Sequence, residues 1–159
     1  MPFVYLAVIA LAYIGDRLVK NWAAGALVTE HGGSLPLIDG VFHFTYCENR
    51  GAAFSMLQGK QGLLITITVL ISLAAVYFLF FSRRKLPVFP SIAIALALGG
   101  ALGNLYDRVV LGYVIDMLDF CLIHFAVFNV ADAAVCVGAA LLVIYCLVSY
   151  KKEKKETAK

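Results

Sequence analysis

The sequence predicts an all-α polytopic membrane protein: four transmembrane helices, a β-hairpin in the first long loop and an interfacial segment between helices 3 and 4. Three observations carry that expectation. Hydrophobic residues make up 62% of the 159 and charged residues only 14%, too few to give one soluble domain of this size a polar surface. Apolar stretches close to the roughly 20 residues that cross a hydrocarbon core run around 3–22, 62–81, 88–106 and 128–148. Lysine and arginine gather where these stretches end. Backbone groups in lipid must be satisfied within the segment, which favours helices, and no series of alternating barrel strands competes.

The first stretch, Met1 to Gly15, has some features of a signal peptide, and Ala24-Gly25-Ala26 loosely resembles a cleavage site. It lacks a basic n-region, and Asp16 and Arg17 interrupt it before that site, so a retained first helix is expected. In the following loop the turn signal Asp39-Gly40 separates Leu35-Pro36-Leu37-Ile38 from Val41-Phe42-His43-Phe44-Thr45-Tyr46-Cys47. Phe42, Phe44 and Tyr46 alternate along one face of that second strand, suited either to the headgroup layer or to packing on the helices. Asn49-Arg50-Gly51-Ala52-Ala53-Phe54-Ser55 follows, its small residues permitting close backbone approach and Asn49 and Arg50 able to orient a peptide or a catalytic group.

Arg83-Arg84-Lys85 fills the short link between the second and third spans, and Lys151, Lys152, Lys154 and Lys155 follow the fourth. Positively charged short segments remain cytoplasmic, so both termini are expected inside. The formal charge of +3 then reflects orientation rather than nucleic-acid binding. In the third span, Gly99 and Gly103 have the spacing that lets another helix approach closely. Val109 to Phe120 is too short and too polar for another crossing and reads as an interfacial segment turning at Gly112. Residues 1–150 are expected to form one integral membrane domain and 151–159 a basic cytoplasmic tail.

Cysteines and histidines add little. Cys136 and Cys146 read as small packing residues of the fourth span, while Cys47 and Cys121 show no disulfide-framework spacing. His31, His43 and His124 have no paired ligand spacing, so no metal is implied.

The expected topology brings three distant polar clusters to one depth: Asp16-Arg17-Leu18-Val19-Lys20, Asn104-Leu105-Tyr106-Asp107-Arg108 and Asn129-Val130-Ala131-Asp132. Arg17, Lys20 and Asp107 fit snorkelling or surface ion pairing as well as a functional role. Asn129 and Asp132 stand at i, i+3, on one helical face. Asp132 fits a cap at a helix N-terminus or a functional acid. Arg108 shares a face with Asn104 and can pair with a carboxylate or a substrate carbonyl. Asp119 reads as an ordinary solvated acid, whereas Asp116 has apolar flanks.

Two carboxyls held close cannot both ionise cheaply; they share a proton, one activating water while the other polarises a peptide carbonyl. Asp116 and Asp132 are near enough in sequence for a loop and a helix N-terminus to bring together, and that chemistry is aspartic proteolysis. A serine hydrolase lacks its Gly-x-Ser-x-Gly elbow, and Ser55 and Lys60 have no context for a Ser/Lys pair. A small transporter or proton-conducting subunit is the main alternative, but it calls for polar residues at the midplane or along a track, with inverted repeats. A scaffold without activity would tolerate neutral replacement of both aspartates.

Taken in order, the Asp16–Lys20 cluster, Asn49-Arg50-Gly51-Ala52-Ala53-Phe54, Gly99 to Arg108, Val114-Ile115-Asp116 and Phe128 to Asp132 resemble the motifs of the bacterial lipoprotein signal peptidase, or signal peptidase II, family. The resemblance covers nearly all of the chain up to about Tyr150. It implies an intramembrane aspartic endopeptidase that removes the signal peptide of a prolipoprotein just before a diacylglyceryl-modified cysteine. Asp116 and Asp132 would be the catalytic pair, with Asp16, Asn49, Asn104, Arg108 and Asn129 supporting the pair or the substrate. The hairpin would form an extracytoplasmic cradle, and Tyr113 to Phe120 part of a gate. The resemblance further implies a monomer in the bacterial cytoplasmic (inner) membrane, in contact with lipid, with its site near the outer face and no metal or organic cofactor.

Overall fold

In a computed structural model of the protein, residues 2–51, 58–82 and 86–157 are described, and four of the helical stretches are long and apolar enough to cross a membrane. Ala52 to Ser55 of the first-loop motif and the link Arg83-Arg84-Lys85 lie outside the described residues. The first span is longer than the expected 3–22. Helix α1 (Pro2–Trp22) continues through a π-turn at Ala23–Leu27 into α2 (Val28–His31). Nothing in Ala23 to His31 forces an end; the stop comes at Gly32, whose φ of +62° is left-handed and open to glycine without strain. The other spans are α3 (Gln61–Val76), prolonged by a π-turn at Tyr77–Phe81, α4 (Val88–Val110) and α5 (Val130–Thr157). Helix α5 carries on through Lys151 and Lys152 and takes in most of the expected tail.

Helix α4 is the centre of the molecule. Half of its apolar window is buried, against 11% for each other span, so most of α1, α3 and α5 is left to lipid. Close approach depends on glycine. A Cβ at Gly99 would stand 2.7 Å from the Ile9 carbonyl oxygen, and one at Gly103 2.5 Å from Asp16 Oδ2; both are too short for real atoms. The small-residue spacing thus packs α4 against α1, as the sequence indicated. Toward α5 the contact runs through Ala131, Ala134 and Gly138, one face of that helix. Cys136 and Cys146 lie off this stripe and are exposed, not packed as expected.

A three-stranded antiparallel sheet caps one end of the bundle, in the order β1 (Ser34–Ile38), β2 (Phe42–Asn49), β3 (Val114–Asp119). The expected hairpin is β1–β2, turning at Gly40 with φ +67°. Its Pro36 is tolerated because β1 is an edge strand. The interfacial segment does turn at Gly112, with φ +80°, and then forms the third strand. Side chains of β3 alternate: Ile115 and Met117 pack with Ala23 and Leu27 on the extension of α1, joined by Trp22, Phe44 and Tyr46. The aromatic face of the hairpin therefore packs largely on protein, with Trp22 and Phe44 ring centroids 5.1 Å apart. Val114 and Asp116 face the other way.

Candidate active site

Asp116 owes its position to two edges of β3. On one side Cys47 of β2 is its register partner. On the other, Phe128 clamps the strand: its carbonyl accepts from Met117 N at 3.0 Å and Leu118 N at 2.8 Å, and its own N–H donates to the Leu118 carbonyl. The next residue, Asn129, caps α5. Asn129 Oδ1 accepts from Asp132 N at 2.8 Å while Asp132 Oδ2 accepts from Asn129 N at 3.3 Å, a reciprocal capping box. The i, i+3 spacing, read from sequence only as a shared face, makes a cap here: Asn129 is the cap and Asp132, the residue expected as a candidate cap, is its answering acid.

Asn129 and Asn104 join both carboxyls. Asn129 Nδ2 donates to Asp116 Oδ1 at 2.6 Å, to Asn104 Oδ1 at 3.1 Å and to the Ile115 carbonyl at 3.3 Å. Asn104 Nδ2 donates to Asp132 Oδ1 at 2.8 Å. Asn49 Nδ2 reaches Asp116 Oδ2 at 3.0 Å, and its Oδ1 accepts from Gly51 N at 2.9 Å. Arg108 spans from the Asn104 carbonyl to that of Gly51, the latter at 3.2 Å. Asp16 Oδ1 accepts from Ala131 N at 2.9 Å, satisfying one of the free donors in the first turn of α5. All seven candidate residues, Asp16, Asn49, Asn104, Arg108, Asp116, Asn129 and Asp132, thus belong to one network built from α1, β2, α4, β3 and α5.

Behind it lies a buried ionic cluster. Lys20 Nζ stands 2.9 Å from Asp16 Oδ2, 2.8 Å from Asp107 Oδ2 and 2.8 Å from Asn104 Oδ1, and Arg17 pairs with Asp107 at 2.7 Å. Lys20, Asp16 and Asp107 have no exposure at all, so Lys20 and Asp107 do not snorkel. The sequence signal was the i, i+4 pair Asp16/Lys20, but not its acceptors on α4. Two other expectations change. Asp119 is half-buried and accepts from Thr45 Oγ1 at 2.9 Å rather than being simply solvated. Arg50 is exposed, 3.4 Å from Glu48 and over the Tyr113 ring, with its guanidinium engaged there.

Asp116 is 1% exposed. Burial, and then the charge of Asp132, push its carboxyl from the ordinary 3.8 up to about 6, opposed by the hydrogen bonds of Asn49 and Asn129 and by the charge of Lys20. A buried acid held near neutrality beside another acid is suited to hold or release a proton. Burial and the charge of Asp116 also raise the Cys47 thiol, which keeps it neutral. A cavity of about 380 Å3 opens onto Asp132, Asn49 and Arg108; much of the rest of its wall is apolar, including Phe125, Val127 and Phe128. It offers a few convergent polar groups in an apolar cleft, the usual make-up of a site for an organic substrate.

Comparison with known proteins identifies the family. The family model described as Signal peptidase (SPase) II matches residues 8–148. The lipoprotein signal peptidase of Clostridioides difficile (strain 630) is 43% identical, over 94% of this chain and 99% of that protein. The lipoprotein signal peptidase of Caldanaerobacter subterraneus subsp. tengcongensis is 45% identical, over 86% of this chain and 91% of its own length. Two bacterial membrane enzymes solved by the in meso method, at 2.3 Å and 1.9 Å resolution, superpose with TM-scores of 0.84 and 0.78. They are 32% and 33% identical and cover 94% and 91% of this chain, and 90% and 92% of their own. With its four spans and this match along nearly its whole length, the chain is a multi-pass bacterial membrane protein that belongs to the signal peptidase II family of peptidases.

Proposed function

We propose that the protein is an intramembrane aspartic endopeptidase that removes the signal peptide of a prolipoprotein by cleaving on the N-terminal side of its diacylglyceryl-modified cysteine. The observation that carries this reading is Asn129. Its side chain holds Asp116 and its backbone holds Asp132, so one residue ties together two carboxyls, of which Asp132 lines an apolar cleft. The substrate class follows from the named relatives, each a lipoprotein signal peptidase.

In the proposed reaction the pair shares one proton. The ionised carboxylate takes a proton from water as its oxygen attacks the scissile carbonyl; the protonated partner hydrogen-bonds the carbonyl oxygen as it gains charge. Collapse of the tetrahedral intermediate breaks the C–N bond, and the leaving amine receives a proton from the pair. Asn49, Asn104 and Asn129 hold the acids in register, and Asp16 holds the first turn of α5. Arg108 lines the cleft and can bind a substrate backbone carbonyl with the guanidinium edge it does not spend on Gly51. The apolar wall accepts the lipid-anchored segment. Only water and the two carboxyls react.

We place both termini in the cytoplasm and the site near the outer face, on the distribution of lysine and arginine. A monomer suffices, since every group named comes from one chain. There the lipid anchor would hold the scissile bond at a fixed depth and confine the search to two dimensions. The ion-path alternative loses support because, among the described residues, the buried charged and amide groups gather at one end, while the cavity among α3, α4 and α5 is almost wholly apolar.

The test pairs a diacylglyceryl-modified prolipoprotein with an unlipidated control on purified protein. Cleavage of the lipidated form alone is expected, and Asp116→Asn or Asp132→Asn should each abolish it while the protein stays folded and inserted. Normal turnover by either variant would sink the assignment.

A further inference from the structure

We infer that Lys20 is a positioning residue for the reaction, its ammonium fixing the Asn104 amide so that the amide nitrogen is turned to Asp132. The inference rests on Asp116 and Asp132 being the reacting pair. Lys20 is outside the proposed chemistry, yet it is a fully buried cation one amide away from an acid.

The argument depends on which atoms can donate. An ammonium has three N–H groups and no acceptor. Each of the three neighbours of Lys20 Nζ, Asp16 Oδ2, Asp107 Oδ2 and Asn104 Oδ1, lies within 2.9 Å. Asn104 must therefore present oxygen to Lys20, and its other end, the NH2, faces Asp132 Oδ1 at 2.8 Å. A flipped amide would set NH2 against the ammonium and oxygen against the carboxyl, two repulsive contacts in a buried site. The same Asn104 oxygen accepts from Asn129 Nδ2, which also holds Asp116. One buried cation thus orders the amides that reach both acids. An ordinary structural ion pair would need only Asp16 and Asp107.

The charge has a second effect. The ionisable groups gathered about Asp116 are Lys20 of α1, Asp107 and Arg108 of α4 and Asp132 of α5, with Asp16 beside Lys20 and the neutral Asn49 and Cys47 on β2. The Lys20 charge favours ionised Asp116. Neutralising it moves the titration of the pair to higher pH.

The experiment uses the full-length protein in lipid or detergent and the lipidated prolipoprotein. Lys20→Met should lower kcat by about 100-fold, as for a misplaced reacting group, with KM unchanged and the alkaline limb of the pH profile shifted upward. Because Lys20→Met leaves buried Asp16 without its cation, while Asp107 keeps Arg17, Asp16→Asn/Lys20→Met is compared in parallel with Asp16→Asn alone. The asparagine can still accept from Ala131 N, the charge balance is kept, and the kcat loss should persist. Lys20→Met should cost nothing further in an Asn104→Leu background, since the effect passes through that amide. Wild-type kcat in folded Asp16→Asn/Lys20→Met relative to Asp16→Asn, or a fully additive loss in the Asn104→Leu background, would overturn the inference. Asp116→Asn in the same assay keeps the two readings apart: its full activity would remove the reacting pair itself.

Discussion

Replacing Asn129 with leucine tests the site at its junction. The residue is wholly buried, and its side-chain NH2 gives Asp116 the shortest hydrogen bond that acid accepts, 2.6 Å. A hydrogen bond to a charged group contributes about 1.5–3 kcal/mol, and one pH unit corresponds to about 1.4 kcal/mol. Loss of the bond removes support from the ionised form, so Asp116 should titrate about 1–2 pH units above its value of about 6. The assay is kcat/KM for the lipidated substrate across pH, which reports the free enzyme. The alkaline limb, where the shared proton is lost, should move upward by that amount, and it belongs to the pair rather than to either acid. The variant also loses the α5 cap, about 0.5–2 kcal/mol, so thermal unfolding is measured alongside to show that it is folded. An unmoved limb, or one displaced to lower pH, would refute the idea that this amide supports ionised Asp116.

The remaining predictions concern stability and substrate. Asp116 is raised in the folded state, so its contribution to stability is complete below pH 3.8 and is lost as pH rises through about 6, up to roughly 3 kcal/mol in all. Melting temperature in detergent should fall across that window, and Asp116→Asn should abolish this component of the slope. Gly100→Val places a Cβ against the Ala131 carbonyl oxygen and the Ala134 methyl, and backbone cannot yield as a side chain does. A loss of about 1–3 kcal/mol is expected, read as a lower melting temperature together with reduced activity as the first turn of α5 moves. Arg108→Lys keeps the charge but gives up the planar fork that spans the Asn104 and Gly51 carbonyls. Its kcat/KM should drop by about tenfold, and an unchanged value would show that charge alone suffices.

The spans were legible because lipid imposes one rule on every residue it touches, and length with composition is enough to read it. Asn129 and Asp132 were legible because they are local, three positions apart on a helix. β3 was not. Its residues Val114 to Met117 are all buried, one face against α1 and the other against the cap of α5, so the strand lacks the alternation that marks a half-exposed sheet. Its partner Asn49 is 65 positions upstream of Val114, too far for any local signal. The length of the first span was missed because the expected end at 22 has no stop signal: the helix runs through Gly25 in a π-turn and ends only where Gly32 turns left-handed. For Lys20, a sequence shows a basic residue at a span end and cannot show that three oxygens from two helices enclose it.

Three asparagines surround the acids, and each is oriented by a group that can only donate. Gly51 N–H fixes Asn49, Lys20 fixes Asn104 and Asp132 N–H fixes Asn129. In every case the oxygen is taken, so the NH2 is left for a carboxyl. This matters for proton sharing. Burial and mutual repulsion both favour neutral acids, and without opposition each would stay protonated and leave no base. A lysine in direct contact would add a full cation's support to the ionised form. Amide dipoles are weaker than a cation and favour the charged form by less. With Lys20 held one amide behind Asp132 rather than against it, the opposing effects bring Asp116 to about 6, within reach of one proton shared between two acids.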